Sequence, residues 1–454
     1  MPNSNLFNIE KIKSILKLDI GQKFFYLSFI FLPSALPISG VCIIFSTVIA
    51  LLHNKENINL NNKWNLAILL SAFLLIISTL FSYFNSDLNL DLVDGSKTII
   101  WIKLFNWLPF FLLFLTQQSY LKNNYQRRIF VKFLLIGTLP LIISSLLQYW
   151  FNIDGPLTFL NNSIIWYMKP RSTDLNTAAV AGLFSNPNYT ATWIATIWPF
   201  SLALLIEKKR KVSTQVILSL LAGFLLYVAL ITLSRNAILG ILVSTFLIVK
   251  LKYFLLFIAI FLIVFFIGLI AANIPAKAPL VLQELQRTEL LYAFMHKNIS
   301  FLKNIFSLNF AYIMELPRIK IWMGTIMMIM QKPFFGYGAG TFFINYFVLR
   351  GGSGSIHHTH NMPLEIAYNY GIFPSIILTS FISFLCISGW KAIHKSKNYK
   401  KNIMDKSFLL SVIVLVIIHL TDITYYEGRI GILIWTLLAG LKCIIDEKNT
   451  KQIL

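Results

Sequence analysis

Runs of about eighteen or more apolar residues recur along the whole chain, and nothing else in the sequence limits the fold as strongly. A hydrocarbon environment offers backbone N–H and C=O groups no partner, so each run has to satisfy its own as a helix. Composition agrees: 57% of the 454 residues are hydrophobic and 13% are charged, against roughly 25% charged in soluble domains. The expected fold class is an all-α polytopic membrane protein of about 12 transmembrane helices. The spans fall at 22–34, 37–53, 65–84, 98–118, 129–150, 188–206, 213–233, 236–250, 252–274, 363–390, 406–424 and 429–446. The first two read as a short hairpin turned at "PSALPISG" (33–40).

Loop charge sets the expected orientation. "EKIKSILK", "HNKENINLNNK", "LKNNYQRR", "EKKRK", "KLK" and "KAIHKSKNYKKNIMDK" alternate with acidic or near-neutral segments such as "NSDLNLDLVDG" and "DITYYEGR". Both termini are therefore expected in the cytoplasm. The net charge of +21 is explained by these topology-setting loops, and no nucleic-acid partner is expected. Cys42, Cys386 and Cys443 lie in or beside apolar spans without metal-ligand spacing, which argues against a disulfide framework. The first 22 residues are polar and amphipathic, and no A-x-A-like site follows the first run, so no cleavable signal is expected. Residues 1–454 read as a single integral membrane domain. Within it, 151–187 and the large, partly helical loop 275–362 face outward, and both termini face inward.

The large loop carries Lys277, Arg287, Lys297, Lys303, Arg318, Lys320, Lys332 and Arg350 against Glu284, Glu289 and Glu315. Such a balance points to an anionic ligand at the membrane face, with anionic lipid headgroups as the plainer alternative. "RIKIWMGTIMMIMQ" (318–331) has helical periodicity and stops at Lys332-Pro333; "GYGAGTFF" (336–343) then reads as a glycine-rich turn without the Lys-Ser/Thr of a phosphate loop.

"GSIHHTHNMPLEIAYNYG" (354–371) holds His357, His358 and His360 where the loop re-enters the membrane. Three readings stand: metal ligands, a general base, or loop polarity. The loop offers few carboxylates and no cysteine to complete a zinc site. A neutral imidazole at the water–lipid boundary suits proton abstraction from a hydroxyl on a lipid-tailed substrate. Guanidinium groups suit phosphate because they stay charged and bind its oxygens bidentately. Arg318 is one such group. Arg235, in the tight turn "LITLSRNAILG", is another, with interfacial snorkelling as its plainer role. "KPRSTDLNTAAVAGLFSNPNYTATW" adds Arg171, and Asn186-Pro187-Asn188 heads a span where capping alone accounts for Asn186.

The order "FSNPN" before a span, "SRNA" at a tight turn, "RIKIW…KPFFGYGAGTF" in the large loop and His-x-His-Asn entering a span resembles the O-antigen ligase and O-antigen polymerase superfamily over roughly residues 169–375. His360-Asn361 followed nine residues later by Gly371 matches the ligase pattern, whereas the family's further glycine is Pro374 here. That departure leans toward the polymerase relatives.

The resemblance implies a metal-independent, cofactor-free, inverting glycosyl transfer at the periplasmic face of the bacterial inner membrane. The donor would be an undecaprenyl-pyrophosphate-linked oligo- or polysaccharide, and the acceptor a lipid A–core sugar hydroxyl. It implies His360 as base and Arg235 and Arg318 as the pyrophosphate-binding pair, with Arg171, Asn188, His358 and Asn361 as further substrate-binding candidates. A polymerase with a lipid-linked glycan acceptor and a protein O-oligosaccharyltransferase share this chemistry. From a different class, an anion transporter would place polar groups near mid-membrane, where His419 is the main candidate and Lys103 lies nearer an outer end.

Overall fold

Most of the expected spans are helical in a computed structural model that describes residues 19–53, 62–85, 97–170, 179–207, 211–249, 251–259, 316–351, 356–395 and 402–453. The helices are α1 (Ile20–Phe31), α2 (Leu36–His53), α3 (Lys63–Phe84), α4 (Thr98–Leu104), α5 (Leu108–Gln117), α6 (Asn124–Phe151), α7 (Pro187–Ile206), α8 (Val212–Ile231) and α9 (Arg235–Ile248). They continue as α10 (Pro317–Gln331), α11 (Phe342–Leu349), α12 (Met362–Tyr370), α13 (Ile372–His394), α14 (Ile403–His419) and α15 (Gly428–Ile453). A two-stranded antiparallel hairpin, β1 (Leu157–Phe159) with β2 (Ile164–Trp166), lies between α6 and α7.

Seven helices among the described residues are long and apolar enough to cross a bilayer, counting Thr98–Tyr120 as one. The 12 residues of α1 reach only about 18 Å at 1.5 Å per residue, short of a hydrocarbon core of ~30 Å. The expected ninth span is helical over 251–259, and its remainder lies outside the described residues, as does 275–315 of the large loop.

Two expected spans are not continuous. The 98–118 run breaks at Phe105–Trp107, before Pro109 in the first turn of α5. The bend exposes the Asn106 carbonyl, which accepts a hydrogen bond from Tyr425 at 2.8 Å. The 363–390 run is divided by Gly371, whose φ is +91°. A Cβ there would sit 1.9 Å from the Phe334 carbonyl oxygen, so only glycine lets the 332–336 segment lie against this junction. The Ile372 N–H then bonds to the Pro333 carbonyl at 2.8 Å. The chain thus enters through the short α12, turns, and crosses as α13. The expected 406–424 span ends as helix at His419, which leaves residues 420–427 as a turn.

The core is assembled around α7, α14 and α15. The α7 helix packs on α8, α9 and α14, and α15 packs on α5, α13 and α14. The apolar window of α15 is 94% buried, while those of α3 and α13 are 33% buried. The latter two therefore leave broad apolar faces for lipid. Indole-to-threonine hydrogen bonds tie α7 to its neighbours, from Trp193 to Thr138 at 3.2 Å and from Trp198 to Thr245 at 2.8 Å. Such bonds keep polar atoms satisfied where water is absent.

At one end of the bundle, Arg127 is fully buried and bonds to Asp405 at 2.9 Å and Glu447 at 2.6 Å, with Lys448 3.2 Å from the other Asp405 oxygen. At the other end the turns interlock. The Arg429 guanidinium donates to the Pro33 and Leu183 carbonyls and lies 4.0 Å over the Phe184 ring. The Val180 N–H bonds to Ile231 at 3.1 Å, and the Trp166 indole to the Ser34 carbonyl at 2.8 Å. The candidate residues gather at this second end.

Candidate active site

The turn between α14 and α15 holds Asp422, a buried carboxylate outside any helix. Its backbone N–H is tied to Ile418 at 2.8 Å, and its own Oδ1 accepts the Ile423 N–H at 2.9 Å, which fixes the side chain. Three elements send side chains to it. His360 Nδ1 lies 3.1 Å from Oδ1, Asn188 Nδ2 donates to Oδ2 at 3.0 Å, and Arg318 Nη2 lies 3.9 Å from Oδ2.

Local sequence explains each position. Asn186 caps α7 by accepting the Asn188 N–H at 2.8 Å, which leaves the Asn188 side chain free to turn toward Asp422. His360 adopts φ +53°, a left-handed conformation that few residue types take easily. Asn361 then caps α12, accepting the Leu364 N–H at 3.0 Å, while its amide donates to the Leu420 carbonyl at 2.9 Å. That second bond clamps the histidine segment to the Asp422 turn.

Electrostatics follow from the contacts. Burial alone would raise the Asp422 carboxyl. The hydrogen bond and charge of His360, then Arg318 and the Ile423 N–H, outweigh it and hold the group below its usual range. Burial lowers Arg318, Asp422 counters it, and the like charge of nearby Arg235 adds to the lowering. Arg318 stays a cation throughout, because guanidinium does not deprotonate in proteins. An ionised carboxylate only accepts hydrogen bonds, so the His360–Asp422 contact places a proton on Nδ1, and in the neutral imidazole the lone pair is then on Nε2.

Four helix N-termini converge here. Asn188 sits in the first turn of α7, Arg235 is the first residue of α9, Arg318 is the second of α10, and Asn361 caps α12. The positive end of a helix dipole favours anions, so arginine in the first turn is locally unfavourable unless an anion is nearby.

Of the residues singled out in the sequence, His360, Asn188 and Arg318 meet at Asp422, with Arg235 beside Arg318 and Asn361 bracing the segment. Arg171 lies outside the described residues. His358 points the other way, with Nδ1 3.5 Å from Glu365 Oε1. His357, read as loop polarity, stacks on Phe343 with ring centroids 4.8 Å apart. His419 is occupied on both nitrogens, by the Leu415 carbonyl at 2.7 Å and Thr424 at 3.2 Å, a packed residue rather than an open binding group. Among the described residues, no three His, Cys, Asp or Glu side chains gather as metal ligands.

Sequence reasoning missed Asp422, which appeared only as one acid in a near-neutral turn. The usable signal was its place: an acid in a turn expected to face outward, in a strongly basic chain. Glu365 lies five residues past His360 in the same stretch. It proves to be a buried anchor that accepts from the Thr359 N–H at 3.0 Å, Tyr426 at 3.1 Å and Asn369 at 3.2 Å.

No curated protein matches the chain. Residues 220–379 match the family model for O-antigen ligase. The matched stretch contains Arg235, Arg318, His358, His360, Asn361 and Gly371, and it ends before Asp422. Residues 220–379 are thus similar to the O-antigen ligase family, and this match supports the resemblance to the O-antigen ligase superfamily.

Proposed function

We propose that this protein moves a glycan from an undecaprenyl-pyrophosphate carrier onto a sugar hydroxyl at the periplasmic face of the bacterial inner membrane, with lipid A–core as acceptor. The observation that carries the reading is the His360–Asp422 contact at 3.1 Å, set beside two arginines at helix N-termini.

The chemistry uses each part. His360 Nε2 takes the proton of the acceptor hydroxyl as its oxygen attacks the anomeric carbon. Asp422 holds the ring through Nδ1 and stabilises the imidazolium that forms. The bond from the anomeric carbon to the pyrophosphate oxygen breaks, and Arg235 and Arg318 receive the charge developing on that oxygen. Attack opposite the leaving group inverts the configuration. The arginines and helix dipoles do the neutralising, so the step needs no metal ion. His360 afterwards gives its proton to water. Asn188 keeps the carboxylate aimed, and Arg171 and His358 are kept as further candidates for substrate binding.

Pro374 in place of the family's second glycine favours a second reading, a polymerase whose acceptor is another lipid-linked glycan. Replacing His360, Arg235 or Arg318 with Ala and examining lipopolysaccharide by gel separates the two. A ligase defect leaves bare core with lipid-linked chains accumulating; a polymerase defect leaves core with a single repeat. Normal banding in the His360→Ala strain would remove the proposed base.

A further inference from the structure

Beside the Asp422 cluster lies a separate cavity of about 320 Å³ that the proposed chemistry leaves unused. It is walled by Lys103 from the last turn of α4, Asn106 from the α4–α5 break, Phe343, His358, Glu365 and Tyr426. Its size falls at the lower end of small-ligand pockets, ~300–1,000 Å³.

The two sites share their walls. On the segment 356–361, His360 faces Asp422 while His358 faces Glu365. On the turn 420–427, Asp422 serves the first site and Tyr426 the second, with its ring 5.1 Å from that of His358. A molecule in the cavity therefore sits next to whatever the arginines hold.

The lining selects by chemistry. Glu365 is 3% exposed and ordered by three donors, whereas a carboxylate offers about four acceptor positions. Oε1 is taken by Tyr426 and Asn369, with His358 3.5 Å away, while Oε2 accepts only the Thr359 N–H, so one position on Oε2 remains for a hydroxyl. Its negative charge disfavours phosphate, which the arginine side accommodates instead. A lipid tail would put the open Glu365 acceptor position and the Lys103 and Asn106 side chains against hydrocarbon. Phe343 and His357, nearly parallel at 10°, add a flat apolar surface.

Hydroxyls on the edge and C–H groups on the face describe a pyranose. We propose that this cavity is a monosaccharide subsite, in which Glu365, Lys103 and Asn106 bind the hydroxyls and Phe343 packs against the ring face. The inference rests on the glycan-transfer reading given above. The sugar is either the one next to the donor pyrophosphate or the terminal acceptor sugar.

Binding is measurable without turnover. Full-length protein in nanodiscs is examined by saturation-transfer NMR with the methyl glycosides of glucose, galactose, N-acetylglucosamine and rhamnose. The wild type is expected to transfer saturation to at least one. Phe343→Ala and Lys103→Met should each weaken that binding about fivefold or more, with melting temperatures showing that both variants fold. No transfer to any of the four, or transfer unchanged in both variants, would overturn the subsite. His360→Ala should retain sugar binding while losing glycan transfer. If it keeps full transfer, the catalytic reading fails, and the NMR result still decides the subsite. Steady-state kinetics of Phe343→Ala assign the source: a raised KM for the donor places the donor sugar in the cavity, and a raised KM for the acceptor places the acceptor sugar there.

Discussion

His360 Nδ1 lies 3.1 Å from Asp422 Oδ1, although the two residues are 62 positions apart in sequence. The contact joins the mouth of α12 to the α14–α15 turn and fixes which imidazole nitrogen is free. Asp422→Asn keeps the size of the side chain and removes its charge. The turnover of glycan transfer should fall by about 10²–10⁴-fold, the range of a positioned acid–base group, with little change in donor KM. A rate within a factor of two of the wild type would mean that Asp422 does not serve His360.

Arg318 and Arg235 are assigned to one pyrophosphate, so their geometry matters as well as their charge. Arg318→Lys keeps the charge and loses the planar fork. Its transfer rate is expected to drop about 10²–10³-fold, and Arg235→Lys should drop comparably. A lysine variant with wild-type kinetics would show that a point charge suffices.

The Asp422 carboxyl, outside the membrane-spanning helices, titrates below its ordinary value of 3.8 in the folded protein. The contribution of its contacts to stability is therefore complete at pH values above the unfolded pKa of about 3.9, and it is lost as pH falls through the lower folded value. Thermal unfolding of wild type and Asp422→Asn between about pH 6 and pH 3 checks this. The difference between them should hold down to the carboxylate range and shrink only below it; a difference that vanishes near neutrality would contradict the assignment.

The membrane architecture was legible because it depends on composition and period, which neighbouring residues carry locally. The α10 helix was visible in the periodicity of residues 318–331, and the helix found is Pro317–Gln331, buried at Ile321, Thr325, Met328 and Ile329. His360, Arg318 and Asn188 were legible as residue types at an interface. Their convergence on Asp422 was not, since it depends on where separate turns meet at one end of the bundle. The break at Gly371 was hidden for a similar reason: the residue demanding glycine is Phe334, far back in the chain.

That break gives a structural test. Gly371→Ala imposes a conformation that costs about 1–3 kcal/mol for a non-glycine residue, before the clash with the Phe334 carbonyl is counted. Melting temperature in nanodiscs should fall clearly, and transfer should fall with it because α12 carries the Asn361 cap. An unchanged melting temperature would show that the junction tolerates a side chain.

At the opposite end, Arg127 is enclosed with Asp405 and Glu447. Arg127→Ala removes the cation shared by Asp405 and Glu447, leaves Lys448 beside Asp405 alone, and should cost roughly 3–5 kcal/mol. Loss of yield or of thermal stability checks it, and a stable, fully active Arg127→Ala protein would contradict the packing described.

The central claim is metal-independent, inverting transfer with His360 as base. Purified protein in nanodiscs is given lipid-pyrophosphate-linked glycan and acceptor in the presence of EDTA, and the anomeric configuration of the product is read by NMR. The account predicts product of inverted configuration from the wild type and none above background from His360→Ala. Retained configuration, or full product from His360→Ala, would contradict it.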